Sequence, residues 1–335
     1  MKRLGYTFLV LLVFAAMADA LEIRNPYKDV NWKSYKQHKG NLHTHTTQSD
    51  GKSSPAEVID MYKKHGYTVL AITDHDTKNT EATTWPWTEY DRDPKKLGMV
   101  AIQGNEISKI HHVNSFFNDY GDNDVPDVDV AAKEIAKRGG IGFINHPGRY
   151  TNPKKKNRQP KTRDWYTGIY KRHDHIVGME VINQTDRYPD DRALWDSILL
   201  ETLPERTIWG FANDDMHKIE AHFGWSWNVF ILPKLDSASV RKAMENGCSF
   251  FVHRPEGING AEVPQIQSIK VDASKKLIQV KAAGYESIEW IADGKSVHKG
   301  DTMSLAKIPK AKFVRAVVHG KGETAVYTQP FVLIK

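Results

Sequence analysis

The chain has 335 residues, 40% of them hydrophobic and 26% charged, with 47 basic against 41 acidic side chains and one cysteine. That length accommodates one large domain and a smaller one. The net charge of +6 is mild, and no helix–turn–helix, finger or aromatic-rich signature accompanies it, which argues against a nucleic-acid partner. The lone Cys248, in Asn246-Gly-Cys-Ser-Phe-Phe, excludes an internal disulfide and reads as a small buried hydrophobe.

Residues 1–20 have the three parts of a secretory leader: Lys2 and Arg3, an apolar run from Tyr6 to Ala16 too short to span a bilayer comfortably, and the small-residue site Ala18-Asp19-Ala20. The expectation is an exported protein, periplasmic or extracellular, cleaved near Ala20. No later stretch is apolar for long enough to insert stably in a membrane.

Next comes Asn41-Leu-His-Thr-His-Thr-Thr-Gln-Ser-Asp-Gly51. On an extended strand His43 and His45 point to one face, and Asp50 follows five residues later. Two imidazoles and a carboxylate so placed suit a divalent cation. Ser54-Pro55-Ala56-Glu57 then opens a helix with a capping box and proline in the first turn; Val58, Ile59 and Tyr62 form its apolar face, and Gly66 can end it. Short apolar runs at 68–72, 99–103, 112–117, 141–145, 177–182, 207–212 and 228–232 read as strands, and 129–138 and 236–246 as helices. Residues 150–165 read as a long mobile loop. Its cluster Lys154-Lys155-Lys156-Asn157-Arg158, with Lys161 and Arg163, is either solvated surface or a basic rim that attracts anions. After residue 260 the texture turns to short β-rich runs split by turn signals such as Asp293-Gly294, the pattern of a small antiparallel sandwich.

Repeated strand–helix alternation predicts an α/β fold with a parallel sheet, open or closed into a barrel. Titratable residues recur where those strands end: His43, His45 and Asp50, then Asp74-His75-Asp76, Glu106, His111-His112, His146, and Asp215 with His217. In such folds ligand sites gather at the carboxyl ends of strands. Each residue alone has an ordinary reading; Asp74, for example, could cap a helix. One metal site explains all six segments together. Arg149, three residues after His146, is either a bidentate phosphate clamp or a surface arginine.

The motifs NLHTHTTQSDG, AITDHDT, GNEIS followed by HHVN, NHPGR and NDDMH resemble those of the PHP (polymerase and histidinol phosphatase) family across residues 40–250. The resemblance extends to exported members with a C-terminal β-domain. It implies a distorted (β/α)7 TIM-like barrel over residues 21–258, followed by a small all-β sandwich-like domain over 259–335. It also implies two or three divalent ions at the strand ends, with His43, His45, Asp50, His75, Glu106, His112, His146, Asp215 and His217 as ligands. His112 is preferred over His111 because it directly precedes Val113-Asn114. Asp74 would orient His75, and Glu106 would bridge two ions.

Nine ligands exceed what one ion needs, and zinc, manganese or iron suits the mixed donor set. The expected activity is hydrolysis of phosphate mono- or diesters of a small anionic substrate by a metal-bound hydroxide, since no side-chain nucleophile is evident. The alternatives are an amidohydrolase-like enzyme acting on a non-phosphate bond, and a non-catalytic exported protein that binds metal or glycan.

Overall fold

The computed structural model describes residues 21–76, 83–122, 124–151 and 160–334. The expected leader, residues 1–20, and the cluster Lys154–Arg158 lie outside these. Among the described residues no helix is long and apolar enough to cross a membrane.

The capping box expected at Ser54 forms. The Ser54 hydroxyl accepts from the Glu57 amide at 3.3 Å, and Glu57 Oε2 accepts from the Ser54 amide at 2.7 Å. Helix Pro55–Lys64 buries Pro55, Val58, Ile59 and Tyr62, and Gly66 beyond it has φ 78°. Helices Val128–Lys137 and Ser237–Asn246 start the same way, with Asp127 and Asp236 accepting backbone N–H groups of their first turns. Two long helices were not expected, Arg163–Arg172 and Asp191–Thr202. The first takes Arg163 out of the predicted loop. Thr162 caps it, and Tyr166, Ile169 and Tyr170 give it a buried face.

The strands form a mixed arrangement rather than the expected parallel barrel. In one sheet Lys36–Asn41, Tyr67–Ala71 and Val100–Ile102 run parallel, while Ser226–Leu232 pairs antiparallel with both Lys36–Asn41 and Ser249–His253. In a second sheet Gly104–Ile107, Val113–Phe116 and Ile141–Ile144 are antiparallel neighbours, and Ile176–Asn183 and Trp209–Asn213 continue it in parallel. Among the described residues the two ladders do not close into a barrel. Among the described residues they meet at one seam in an isolated bridge between His75 and Glu106. At the other a buried side chain replaces the ladder: Asn228 accepts from the Ala212 amide at 3.2 Å and donates to the Ala212 carbonyl at 2.8 Å.

The C-terminal β-rich region is built in two layers. Gln265–Asp272, Leu277–Ala283 and Thr302–Ser304 make a three-stranded sheet. It contributes Ile266, Ile269, Ile278 and Val280 to a core shared with Ile288, Trp290 and Val318 of the opposing layer. That opposing layer belongs to the large sheet, because Ala325–Thr328 pairs with Ser249–His253. Glu22–Arg24 pairs in turn with Phe331–Ile334. Main-chain pairing therefore crosses the boundary expected between residues 258 and 259.

Candidate metal centre

The extended chain after Lys36–Asn41 carries His43 and His45. Thr44 between them bridges Met216, and the His45 amide donates to the Met216 carbonyl at 2.8 Å. This pairing lays the first motif beside the last and brings Asp215 and His217 alongside. The turn after His45 folds back on itself, with the Gly51 amide donating to the Thr46 carbonyl. A Cβ at Gly51 would stand 2.5 Å from the His45 carbonyl oxygen, so the approach needs glycine. The turn sets Asp50 Oδ1 at 3.3 Å from His217 Nε2, 3.5 Å from His75 Nε2 and 3.9 Å from His45 Nδ1.

Glu106, in Gly104–Ile107, is the hub. Its Oε1 lies 2.8 Å from His112 Nδ1, 3.2 Å from His146 Nε2 and 3.3 Å from His43 Nε2. Its Oε2 lies 3.0 Å from His75 Nδ1 and 3.5 Å from His45 Nε2. Asp215 Oδ1 closes the group at 3.2 Å from His45 Nε2 and 3.3 Å from His43 Nε2. All nine residues expected as ligands thus converge from six segments. His111 does not join them. One of its ring nitrogens faces the Tyr166 hydroxyl, the other the His112 carbonyl, and the ring stacks on Tyr150 with centroids 3.9 Å apart.

Asp74 has a different task from the one expected. Its carboxylate accepts from the Thr46 amide and from the hydroxyls of Thr46, Ser49 and Thr84, at 2.6–2.7 Å. It therefore holds the turn that carries Asp50, and these donors take the oxygens that would have oriented His75.

Glu180 was missed. It is fully buried in Ile176–Asn183, and its Oε1 lies 2.9 Å from His43 Nδ1. It also accepts from the His146 amide and from the side chains of Asn183 and Asn213. A carboxylate behind a histidine fixes the ring and raises its basicity as a ligand. The signal was present in Gly178-Met-Glu-Val-Ile182: one charge inside an otherwise apolar run needs a partner. Asn183 and Gln184, also missed, donate to Asp215 Oδ2 at 3.2 and 3.3 Å.

The donor set fits divalent cations. His43 Nε2, both ring nitrogens of His45 and His146 Nδ1 are buried without a hydrogen-bond partner among the described residues. Orphaned buried polar atoms are costly and rare in a structural core. Four overlapping groups could each hold an ion: His45 with Asp50, His75 and His217; His43 with His45 and Glu106; His43 with His146 and Glu180; and His75 with Glu106 and His112.

Electrostatics mark the same cluster as strongly perturbed. Burial, then His217 and His75, push His45 down to about 4, which keeps the ring neutral with the lone pair of one nitrogen available. Burial works against the charged form of Glu106, but His112, His43 and His75 outweigh it and hold the carboxyl well below its usual range. Asp215 is depressed as well, with His43 and His45 overcoming burial. For His75 the penalty of burial is outweighed by Glu106 and Asp50, and its pKa rises to about 10.

Two of these residues are strained: His146 has φ 26° and Asp215 φ 43°, a region that costs non-glycine residues of order 1–3 kcal/mol. A cavity of about 250 Å³ opens over Asp50, Glu106, His146 and His217, with Arg149 of the short helix Gly148–Thr151 on its wall. Arg149 has no carboxylate partner among the described residues.

No protein-family model and no curated protein matches the chain. Solved structures do. A two-domain protein of Bacteroides vulgatus, containing a predicted PHP-like metal-dependent phosphoesterase, aligns over 91% of this chain and 88% of its own with TM-score 0.56 and 16% identity. A Bifidobacterium adolescentis protein, provisionally named a metal-dependent phosphoesterase, aligns over 62% of this chain and 96% of its own with TM-score 0.44 and 16% identity. An amidohydrolase from Chromobacterium violaceum, with bound sulfate and no metal, aligns over 53% and 87% with TM-score 0.39 and 16% identity. The first likeness covers most of the chain, so its fold is shared with that two-domain protein, in agreement with the resemblance read from the motifs.

Proposed function

We propose that the chain is a metal-dependent phosphoesterase that hydrolyses a small anionic phosphate ester. The observation that carries this reading is the meeting of unsatisfied imidazole nitrogens and ionised carboxylates beneath a cavity with an uncommitted arginine on its wall. Divalent ions bound there, zinc, manganese or iron, would supply Lewis-acid stabilisation and lower the pKa of a water molecule.

The chain's own residues do the rest. Glu106 and Asp215 hold concentrated negative charge in a buried place, which attracts cations despite the cost of burial. Glu180 and Asn145 restrict the rings and carboxylates around them, the first through His43 Nδ1 and the second by donating to Glu106 Oε1 at 2.7 Å. Arg149 presents a planar fork that matches two oxygens of a phosphoryl group, and this favours a phosphate over an amide. A leader at residues 1–20 would place the enzyme outside the cytoplasm.

The test is a panel of aryl phosphates, phosphodiesters and amides on protein loaded separately with zinc, manganese and iron. Turnover of a phosphate ester that disappears on chelation is expected. Arg149→Lys should raise KM about tenfold, through loss of the bidentate geometry. Hydrolysis of amides alone would overturn the reading in favour of an amidohydrolase. Background rates on every compound at full metal occupancy would favour a binding protein.

A further inference from the structure

The segment from Asn183 to Asp191 joins strand Ile176–Asn183 to helix Asp191–Thr202 and passes beside the metal centre. It is tied there, since the Gln184 side chain donates to both the carbonyl and the carboxylate of Asp215. Gln184 and Asp186 hold left-handed backbone, with φ 52° and 60°, an unusual conformation for residues other than glycine. The turn therefore has a defined shape next to the reacting groups.

Its charges are arranged unevenly. Asp186 is taken by Arg192 in a two-pronged pair at 2.7 and 2.9 Å. Arg187, the next residue, is exposed and has no carboxylate partner among the described residues. Its guanidinium sits 5.5 Å from the ring centroid of Tyr188. The Tyr188 side chain covers Gly148, where an added Cβ would come within 2.5 Å of Tyr188 Cβ and 2.7 Å of its Cγ. The glycine lets the tyrosine lie against the start of the helix that carries Arg149. The Tyr188 ring is also 6.4 Å, centroid to centroid, from that of His146. Burial raises the Tyr188 phenol while Arg187 and Arg149 both pull it down, as two guanidinium groups within range of one ring should.

Tyr188 therefore packs on the first residue of the helix that carries Arg149 and carries the Arg187 guanidinium on its ring, and neither arginine has a carboxylate partner among the described residues. An arginine without a carboxylate partner, set over an aromatic ring beside the cavity wall, offers a contact for an anionic group. We propose that Arg187 and Tyr188 form a second anion subsite, which selects phosphate esters whose leaving group carries a further anionic group, a carboxylate or a second phosphate. This rests on the phosphoesterase reading. Arg149 takes the reacting phosphoryl group, Arg187 the distal anion, and the Tyr188 ring supports the atoms that join them.

The experiment measures kcat/KM of the full, metal-loaded chain on three phosphate esters of a three-carbon alcohol: glycerol phosphate, its carboxylate counterpart phosphoglycerate, and propanediol bisphosphate. A preference of about tenfold over glycerol phosphate is expected for at least one of the doubly anionic compounds; which of the two it is assigns the distal group. Arg187→Gln should bring the ratio close to one, and Arg187→Lys should retain part of it. Metal content should match that of the unaltered chain in both variants, because neither changes a ligand. A ratio near one in the unaltered chain, an undiminished ratio in Arg187→Gln, or loss of metal in that variant would overturn the subsite while the phosphoesterase reading stood. Failure to turn over any phosphate ester at full metal occupancy would instead overturn that reading, and the subsite with it.

Discussion

Asp196 and Arg315 are 6% and 3% exposed and join helix Asp191–Thr202 to strand Phe313–His319 by two hydrogen bonds of 3.0 and 2.8 Å. The arginine also lies 5.2 Å from the Trp195 ring. His43, Glu106 and Asp215 are buried as deeply or nearly so, yet they are gathered quite differently. In the first region one acid meets one base, fork to fork, and the charges cancel, although Arg315 Nη1 has no hydrogen-bond partner among the described residues. In the second, rings and carboxylates crowd at 2.8–3.5 Å with several ring nitrogens left unpartnered. A buried charge that finds its partner within the chain ties layers together. Charges that converge on a common space without satisfying one another make room for something that is not protein.

This contrast can be broken at either end. The largest effect is expected at the metal centre. His43→Ala and Glu106→Gln should each cost well over a hundredfold in metal affinity and activity, since altering a residue that merely supports a ligand costs about 10–100-fold. Wild-type metal content by elemental analysis in either variant would remove the residue from the ligand set.

Asp196→Ala should do the converse. Stranding Arg315 in a buried place should lower unfolding free energy by about 3–5 kcal/mol, read from urea denaturation, with metal content preserved in the folded fraction. Asp196→Leu combined with Arg315→Met should recover most of that loss. If the single variant proves as stable as the parent, the pair does not tie the layers.

Glu180→Gln sharpens the comparison, because Glu180 has a partner, His43, that is itself part of the centre. We expect a loss of about 10–100-fold in metal affinity, measured by competition with a chelator. An unchanged affinity would make Glu180 a packing residue.

The smallest effect belongs to a surface pair. Arg172, and with it His173, draws Asp129 down to about 2 against the opposition of partial burial. Because the folded value lies below the unfolded one of about 3.9, the stabilisation is present above pH 4 and is lost as the pH falls toward 2. The difference in melting temperature between the parent and Asp129→Asn should shrink over that window. A difference that stayed constant from pH 5 to 2 would remove the ion pair as its cause.

Much of the candidate site was legible because its motifs are local. A His-x-His pair, a strand-end carboxylate and a closing Asp-x-His appear in the chain as short signals, each following an apolar run. What Asp74 and Glu180 do was not legible, because a carboxylate's role depends on which donors reach it. Asp74 met two threonines and a serine, and Glu180 met His43 from 137 positions away. Helix Arg163–Arg172 was hidden by the basic cluster before it, although Tyr166, Ile169 and Tyr170 have helical spacing.

By itself the sequence determined which residues are candidate ligands, the capped helices and the change from mixed α/β to β texture, since all three rest on composition and short-range periodicity. Tertiary structure alone decided that the strands of the α/β part form two mixed sheets, that the His111 ring turns to Tyr166 and Tyr150, and that the C-terminal layers continue the large sheet. Those outcomes depend on register and pairing between distant segments, where a shift of one residue turns a side chain to the opposite face.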